Sequence, residues 1–173
     1  YNQILSSKKF IDDCMSFYEL VKKTLNNNGK LILCGNGGSA ADCLHIAGEF
    51  VGRLTKERAA WPAISICSDI AVITCLGNDY SFENVFKRQI EALSNKNDLV
   101  ICLSTSGNSL NIVNALKTAR SLGVGSCSIT NNLENSSSIS ADFSLKIPSN
   151  NTQIIQEVTI LLFHIICEML ENE

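Results

Sequence analysis

Apolar residues recur along this chain with two spacings, and the alternation between them lays out the elements. Phe10, Ile11, Cys14, Phe17, Tyr18, Val21 and Leu25 fall at helical spacing. Asn26-Asn27-Asn28-Gly29 stops that segment. Short apolar runs of strand length cover residues 30–34, 63–67, 99–103, 124–129 and 143–147. Between the first two, Ser39 reads as the cap of a helix to about Val51, with Asp42 near the capping-box position. Ser68-Asp69 starts a short helix to about Leu76, Gly77-Asn78-Asp79-Tyr80 reads as a turn, and residues 82–93 as another helix. A helix over residues 109–122 places Leu110, Val113, Leu116 and Ala119 on one side, and Gly123 ends it. Residues 131–140 are polar and only partly helical in pattern. After the turn Pro148-Ser149-Asn150-Asn151, Thr152 reads as the cap of a last helix to about Leu170. Strands alternating with helices predict an α/β protein, a parallel sheet covered on both faces with right-handed crossovers.

The 173 residues suffice for one domain with a real core. Only 18% of the residues are charged, which points either to surface covered by partner subunits or to a compact monomer with Asn and Ser outside. A net charge of -3 with no basic run argues against a nucleic-acid partner. Of eight cysteines, Cys34, Cys67, Cys75, Cys102, Cys127 and Cys167 sit within or beside apolar runs, and none forms a CxxC pair. They read as small core hydrophobes in a reducing compartment. No signal peptide is visible, and the start at Tyr1 leaves room for a preceding segment. The longest apolar stretch, residues 158–166, is interrupted by Thr159 and His164 and is too short to span a bilayer.

Two polar loops follow apolar runs and precede helices. The first is Cys34-Gly35-Asn36-Gly37-Gly38-Ser39, the second Ser104-Thr105-Ser106-Gly107-Asn108-Ser109. A strand, a small-residue turn and a helix start are where an open α/β sheet binds anions. The second loop supplies the hydroxyls of Ser104, Thr105, Ser106 and Ser109, and Gly107 permits close backbone approach or positive φ. An ordinary serine-rich turn is the plainer reading. Neither loop holds a lysine, which excludes a nucleotide P-loop, and Ala40 stands where a dinucleotide fingerprint needs its third glycine.

The chain has two histidines. His45 lies four residues before Glu49, so the two share a helix face and can hold one metal or one proton path, or form a surface pair. His164 sits in the apolar segment Ile160-Leu161-Leu162-Phe163-His164-Ile165-Ile166, where a satisfied core histidine is the usual occupant. Gln156 lies eight residues upstream, a rise of about 12 Å on one helix. If Gln156 and His164 serve one zinc, the simplest geometry takes them from different subunits.

Taken together these segments resemble a sugar isomerase (SIS) domain and, within it, the phosphoheptose isomerase family. The resemblance runs over nearly the whole chain. It rests on Gly35-Asn36-Gly37-Gly38-Ser39, on His45-Ile46-Ala47-Gly48-Glu49 with Gly52-Arg53, and on Gly77-Asn78-Asp79-Tyr80. The Ser104–Ser109 loop and Gln156-Glu157 with His164 complete it. The loop indicates only an SIS domain, whereas His45, Glu49, Gln156 and His164 together are far more specific.

The resemblance implies one three-layer α-β-α domain over residues 1–173 with a five-stranded parallel, flavodoxin-like sheet. An N-terminal helix over about 3–26 would precede an α/β core over about 30–173. It implies a cytoplasmic homotetramer with active sites shared between subunits and no nucleic-acid or membrane partner. The implied reaction converts sedoheptulose 7-phosphate to D-glycero-D-manno-heptose 7-phosphate, toward the heptose of lipopolysaccharide or related surface glycans. Zinc would sit on His45, Glu49, Gln156 and His164. Phosphate would sit on Ser104, Ser106 and Ser109, with Asn36, Gly37, Gly38 and Ser39 nearby. Asn78, Asp79, Thr105 and Gln156 fall near the sugar, and Arg53 matches an active-site arginine. One departure stands out: Gln153 and Ile154 occupy positions just ahead of the Gln-Glu pair where relatives often carry charge.

Ketose–aldose isomerisation moves a proton between C1 and C2 and needs a base, an acid and oxyanion stabilisation. Glu49 is assigned as the base on carbon and His164 as the group serving the oxygens, roles that could be exchanged. A ligated carboxylate is a poorer base, so Glu49 would have to loosen from a metal. A non-catalytic SIS partner of a replication initiator, an isomerase of another sugar phosphate and a sugar-phosphate sensor are the competing readings.

Overall fold

The computed structural model describes residue 4 and residues 6–173, so the expected helix start near residue 3 lies outside the described residues. The N-terminal helix α1 spans Lys8–Asn26; Ser7 caps it, its Oγ accepting from Phe10 N. Then follow β1 (Leu31–Gly35), α2 (Gly38–Val51), β2 (Ala63–Ser65) and α3 (Ile70–Asp79). A 3-10 turn at Phe82–Asn84 leads into α4 (Val85–Leu93), β3 (Leu99–Leu103) and α5 (Leu110–Leu122). β4 (Gly125–Thr130), α6 (Ser136–Ser140), β5 (Phe143–Lys146) and α7 (Thr152–Glu171) complete the chain.

The five strands form one parallel sheet in the order β2-β1-β3-β4-β5. The α/β sandwich expected from the sequence is therefore present. Alternation along each central strand feeds two cores. Leu31 and Leu33 of β1 and Leu99, Ile101 and Leu103 of β3 face α1, α2 and α7, with Phe17, Phe50 and Phe163. Ile32, Cys34, Val100 and Cys102 face α4 and α5, with Ile90, Ile112 and Leu116.

Several boundaries differ from the sequence reading. The cap of α2 is Gly37, not Ser39, because a φ of 55° turns the chain a residue earlier and draws Ser39 into the buried first turn. The last helix is capped by Asn151, whose Oδ1 accepts from Gln153 N and Ile154 N; Thr152 is already helical. Helix α3 runs through Gly77, Asn78 and Asp79, so the expected turn there is helix ending at Tyr80. Cys75 is exposed rather than in the core, on the outer side of α3, while Cys34, Cys43, Cys102, Cys127 and Cys167 are buried as free thiols. Helix α7 is long and apolar enough to cross a membrane, but Ile155, Val158, Leu162, Phe163 and Ile166 are buried in the core, so it forms a wall of the domain.

Candidate active site

The sheet order places β1 beside β3 at the point where the chain reverses direction across the sheet, the crevice in which open α/β folds bind ligands. The register pairs Gly35 with Leu103, so the loop after each strand emerges beside the other. They are locked together by two side-chain amides. Asn36 Nδ2 donates to Asn111 Oδ1 at 3.0 Å, and Asn111 Nδ2 donates to Asn36 Oδ1 at 2.8 Å. Asn111 is buried in the first turn of α5, and its Oδ1 also accepts from Ile112 N at 3.0 Å. The sequence reading missed Asn111; an asparagine one position into an apolar helix face was its only signal.

Each loop ends in a helix start whose first N–H groups have no intrahelical acceptor. Neither Gly37 nor Ser109, the two N-caps, spends a side chain on them. The exposed serine hydroxyl of Ser106 and the half-buried one of Ser109 border the opening. Ser104 is buried and braces the turn, its Oγ accepting from Gly107 N at 3.1 Å. Gly107, at φ 68°, packs so closely on Asn135 that an added Cβ would lie 2.1 Å from its side chain. Thr105 Oγ1 accepts from Thr152 Oγ1 at 3.4 Å, joining the loop to the start of α7. The arrangement suits a dianion.

The second group of site residues lies along α2 and α7. His45 Nε2 stands 2.9 Å from His164 Nε2, and Glu49 Oε1 is 3.5 Å from His45 Nε2. Ligand atoms of His45, Glu49 and His164 all fall within 4.8 Å of one another. His164 is half-buried and meets His45, so it is not a core histidine satisfied by backbone. Two nitrogen ligands of one tetrahedral zinc lie about 3.3 Å apart, given bonds of about 2.0–2.1 Å. The observed spacing and the mixed imidazole–carboxylate donor set fit such an ion.

The Gln156 amide packs against Gly38, where an added Cβ would lie 2.4 Å from Nε2. Seven residues, about 10 Å of helix, separate Gly38 from His45. An open groove of about 410 Å³ lined by Asp42, Gln156, Glu157, Ile160, Leu161 and His164 runs past both positions. Burial raises the pKa of the Asp42 carboxyl in this groove, and His45 partly offsets it.

The remaining expected site residues lie at the ends of α2 and α3. Arg53 is exposed beyond the end of α2, its Nε 3.5 Å from Glu57. Asn78 and Asp79 are exposed at the end of α3, where Asn78 Nδ2 donates to Asp79 Oδ1 at 2.8 Å.

Residues 12–131 match the family model of the SIS domain. The phosphoheptose isomerase of Aliarcobacter butzleri is 46% identical over 155 residues, covering 90% of this chain and 82% of that protein. The solved structure of the phosphoheptose isomerase of Neisseria gonorrhoeae superposes with a TM-score of 0.87 at 34% identity, covering 94% of this chain and 87% of that one. The one from Francisella tularensis gives 0.89 at 30% identity, with 94% and 86% covered.

Proposed function

Because the chain belongs to the SIS-domain family and, within it, to the phosphoheptose isomerases, we propose that Glu49 and His164 carry its proton transfers. The protein is an isomerase. The substrate pair that this reading assigns is sedoheptulose 7-phosphate and D-glycero-D-manno-heptose 7-phosphate, made in the cytoplasm for surface glycans. The observation that carries it is the His45–Glu49–His164 cluster, which lies along α2 about two helical turns from the loop that follows β1. The phosphate is held at the loops, and the other end of the sugar reaches the cluster.

In this reading the first turns of α2 and α5, with Ser39, Ser106 and Ser109, bind the phosphate by N–H and O–H donation. Glu49 removes the proton from C1 of the ketose and returns it to C2 of the enediol. His164 moves a proton between the two oxygens, and the neighbouring His45 ring fixes its orientation. Zinc held by His45, Glu49 and His164, with Gln156 supplied by a second subunit, would polarise the carbonyl when bound. Exposed Ile11, Met15, Leu161 and Ile165 on α1 and α7 form an apolar groove on the same helix that carries Gln156 and His164. That face supports self-association into a tetramer with shared sites. Gln153 and Ile154 place no charge at the start of α7, beside the Thr105–Thr152 contact.

The reading is tested by incubating the protein with sedoheptulose 7-phosphate, with and without a chelator, and detecting the aldoheptose phosphate directly. Product that depends on the metal supports it. No product in the metal-loaded protein overturns it.

A further inference from the structure

Glu49 sits two residues before Val51, the end of α2, where helix carbonyls run out of intrahelical donors. One side chain fills that gap. Arg58 Nη2 donates to Glu49 O at 2.8 Å, and Nη1 donates to Phe50 O and to Ala59 O, each at 3.0 Å. The guanidinium lies 3.4 Å over the Trp61 ring, which packs on Phe50. Its Nε reaches Glu171 Oε1 at 3.3 Å.

Glu171 has no exposed side-chain surface. Its carboxylate accepts from Leu54 N at 2.8 Å, from Thr55 N and Lys56 N at 3.0 Å, and from Thr55 Oγ1 at 2.8 Å. Glu171 ends α7, seven residues after His164 and so on nearly the same side of that helix. An unbroken chain of contacts therefore runs from the backbone of Glu49, through Arg58 and Glu171, to the helix that carries His164.

We infer that Arg58 and Glu171 are positioning residues, a clamp that sets the separation of Glu49 and His164 for proton transfer, an inference that rests on the roles proposed for those two. Neither touches the cluster's ligand atoms. The planar fork of Arg58 serves both helix carbonyls and the carboxylate together, and lysine cannot reproduce it. The clamp closes on the backbone of Glu49 itself, so loosening it moves the base relative to His164. A misplacement of about 1 Å at the reacting groups is enough to cost about a hundredfold in turnover.

The test compares Arg58→Lys and Glu171→Gln with the unaltered protein, using kcat and KM for sedoheptulose 7-phosphate per folded molecule. Expected is a fall in kcat of about ten- to a hundredfold with KM little changed. Unchanged kcat per folded molecule in both variants overturns the clamp. Because the chain has only two histidines, the imidazole nitrogen NMR signals of His45 and His164 in chelator-treated protein give a readout independent of activity. They should shift in each variant that folds, and unshifted signals likewise overturn the clamp. Glu49→Gln is run alongside: full turnover there strikes the assignment of the base, while the histidine signals still decide the clamp.

Discussion

His45 and His164 meet Nε2 to Nε2 at 2.9 Å across the packed helices α2 and α7. Two neutral imidazoles at that distance need one proton between them, one ring donating and the other accepting. A cation can take the place of that contact once the donating ring carries its proton on Nδ1 instead. Zinc should therefore bind at one site formed by these helices. Titration calorimetry with zinc checks this, and His45→Ala should remove most of the bound metal.

Gly38 and Gln156 give a separate handle. The atom that a Cβ at Gly38 would strike is the far end of a flexible side chain. Gly38→Ala should thus cost less than about 1 kcal/mol of stability, since surface changes of this kind are usually small. It should still displace the Gln156 amide and lower both zinc retention and turnover. Denaturant unfolding and metal analysis on the same sample separate the two effects.

Gly107 is the contrary case. Its φ of 68° and its contact with Asn135, which also caps α6, leave no room for a side chain. Gly107→Ala should destabilise the protein by about 1–3 kcal/mol from backbone strain alone, with added loss from the overlap. Unfolding curves check the figure, and phosphate affinity should fall in parallel.

The reciprocal amide pair of Asn36 and Asn111 ties the two loops across β1 and β3. Asn111→Ala leaves a half-buried amide without its partner and should cost about 1–3 kcal/mol. A double-mutant cycle with Asn36→Ala should show that the two losses are not additive.

Acid should loosen the clamp at Glu171. Burial alone would raise this carboxyl, but the N–H groups of Lys56, Leu54 and Thr55 and the Thr55 hydroxyl outweigh it and hold the pKa at about 2. The ordinary value is 4.5. A depressed folded-state pKa gives stability that is complete above the unfolded value and is lost as pH falls toward the folded one. Stability should therefore drop between about pH 4.5 and 2, and Glu171→Gln should flatten that part of the curve, as thermal unfolding against pH will report.

Much of this was legible in the sequence because it rests on local rules. The strands, the two loops and the His45–Glu49 pair follow from apolar runs, glycine placement and i,i+4 spacing. The caps were misplaced by one or two residues because positive φ at Gly37 and the Asn151 side chain compete with nearby hydroxyls, and pattern does not rank them. The helical end of α3 at Gly77-Asn78-Asp79 was masked by turn-forming residue types. What stayed hidden was long-range: Asn111 meets Asn36 across 75 positions, and Arg58 meets Glu171 across 113. No periodicity encodes such pairs. They exist because the parallel sheet brings distant strand ends together and because α7 returns to lie beside α2.

The central claim is that Glu49 and His164 perform the proton transfers. Its most direct test is kcat for sedoheptulose 7-phosphate in Glu49→Gln and His164→Gln, with product detected directly and substrate affinity measured separately. A general acid or base contributes about 10²–10⁴-fold, so each variant should lose at least a hundredfold in kcat while binding the substrate nearly as well. Near-normal kcat in either folded variant would contradict the account.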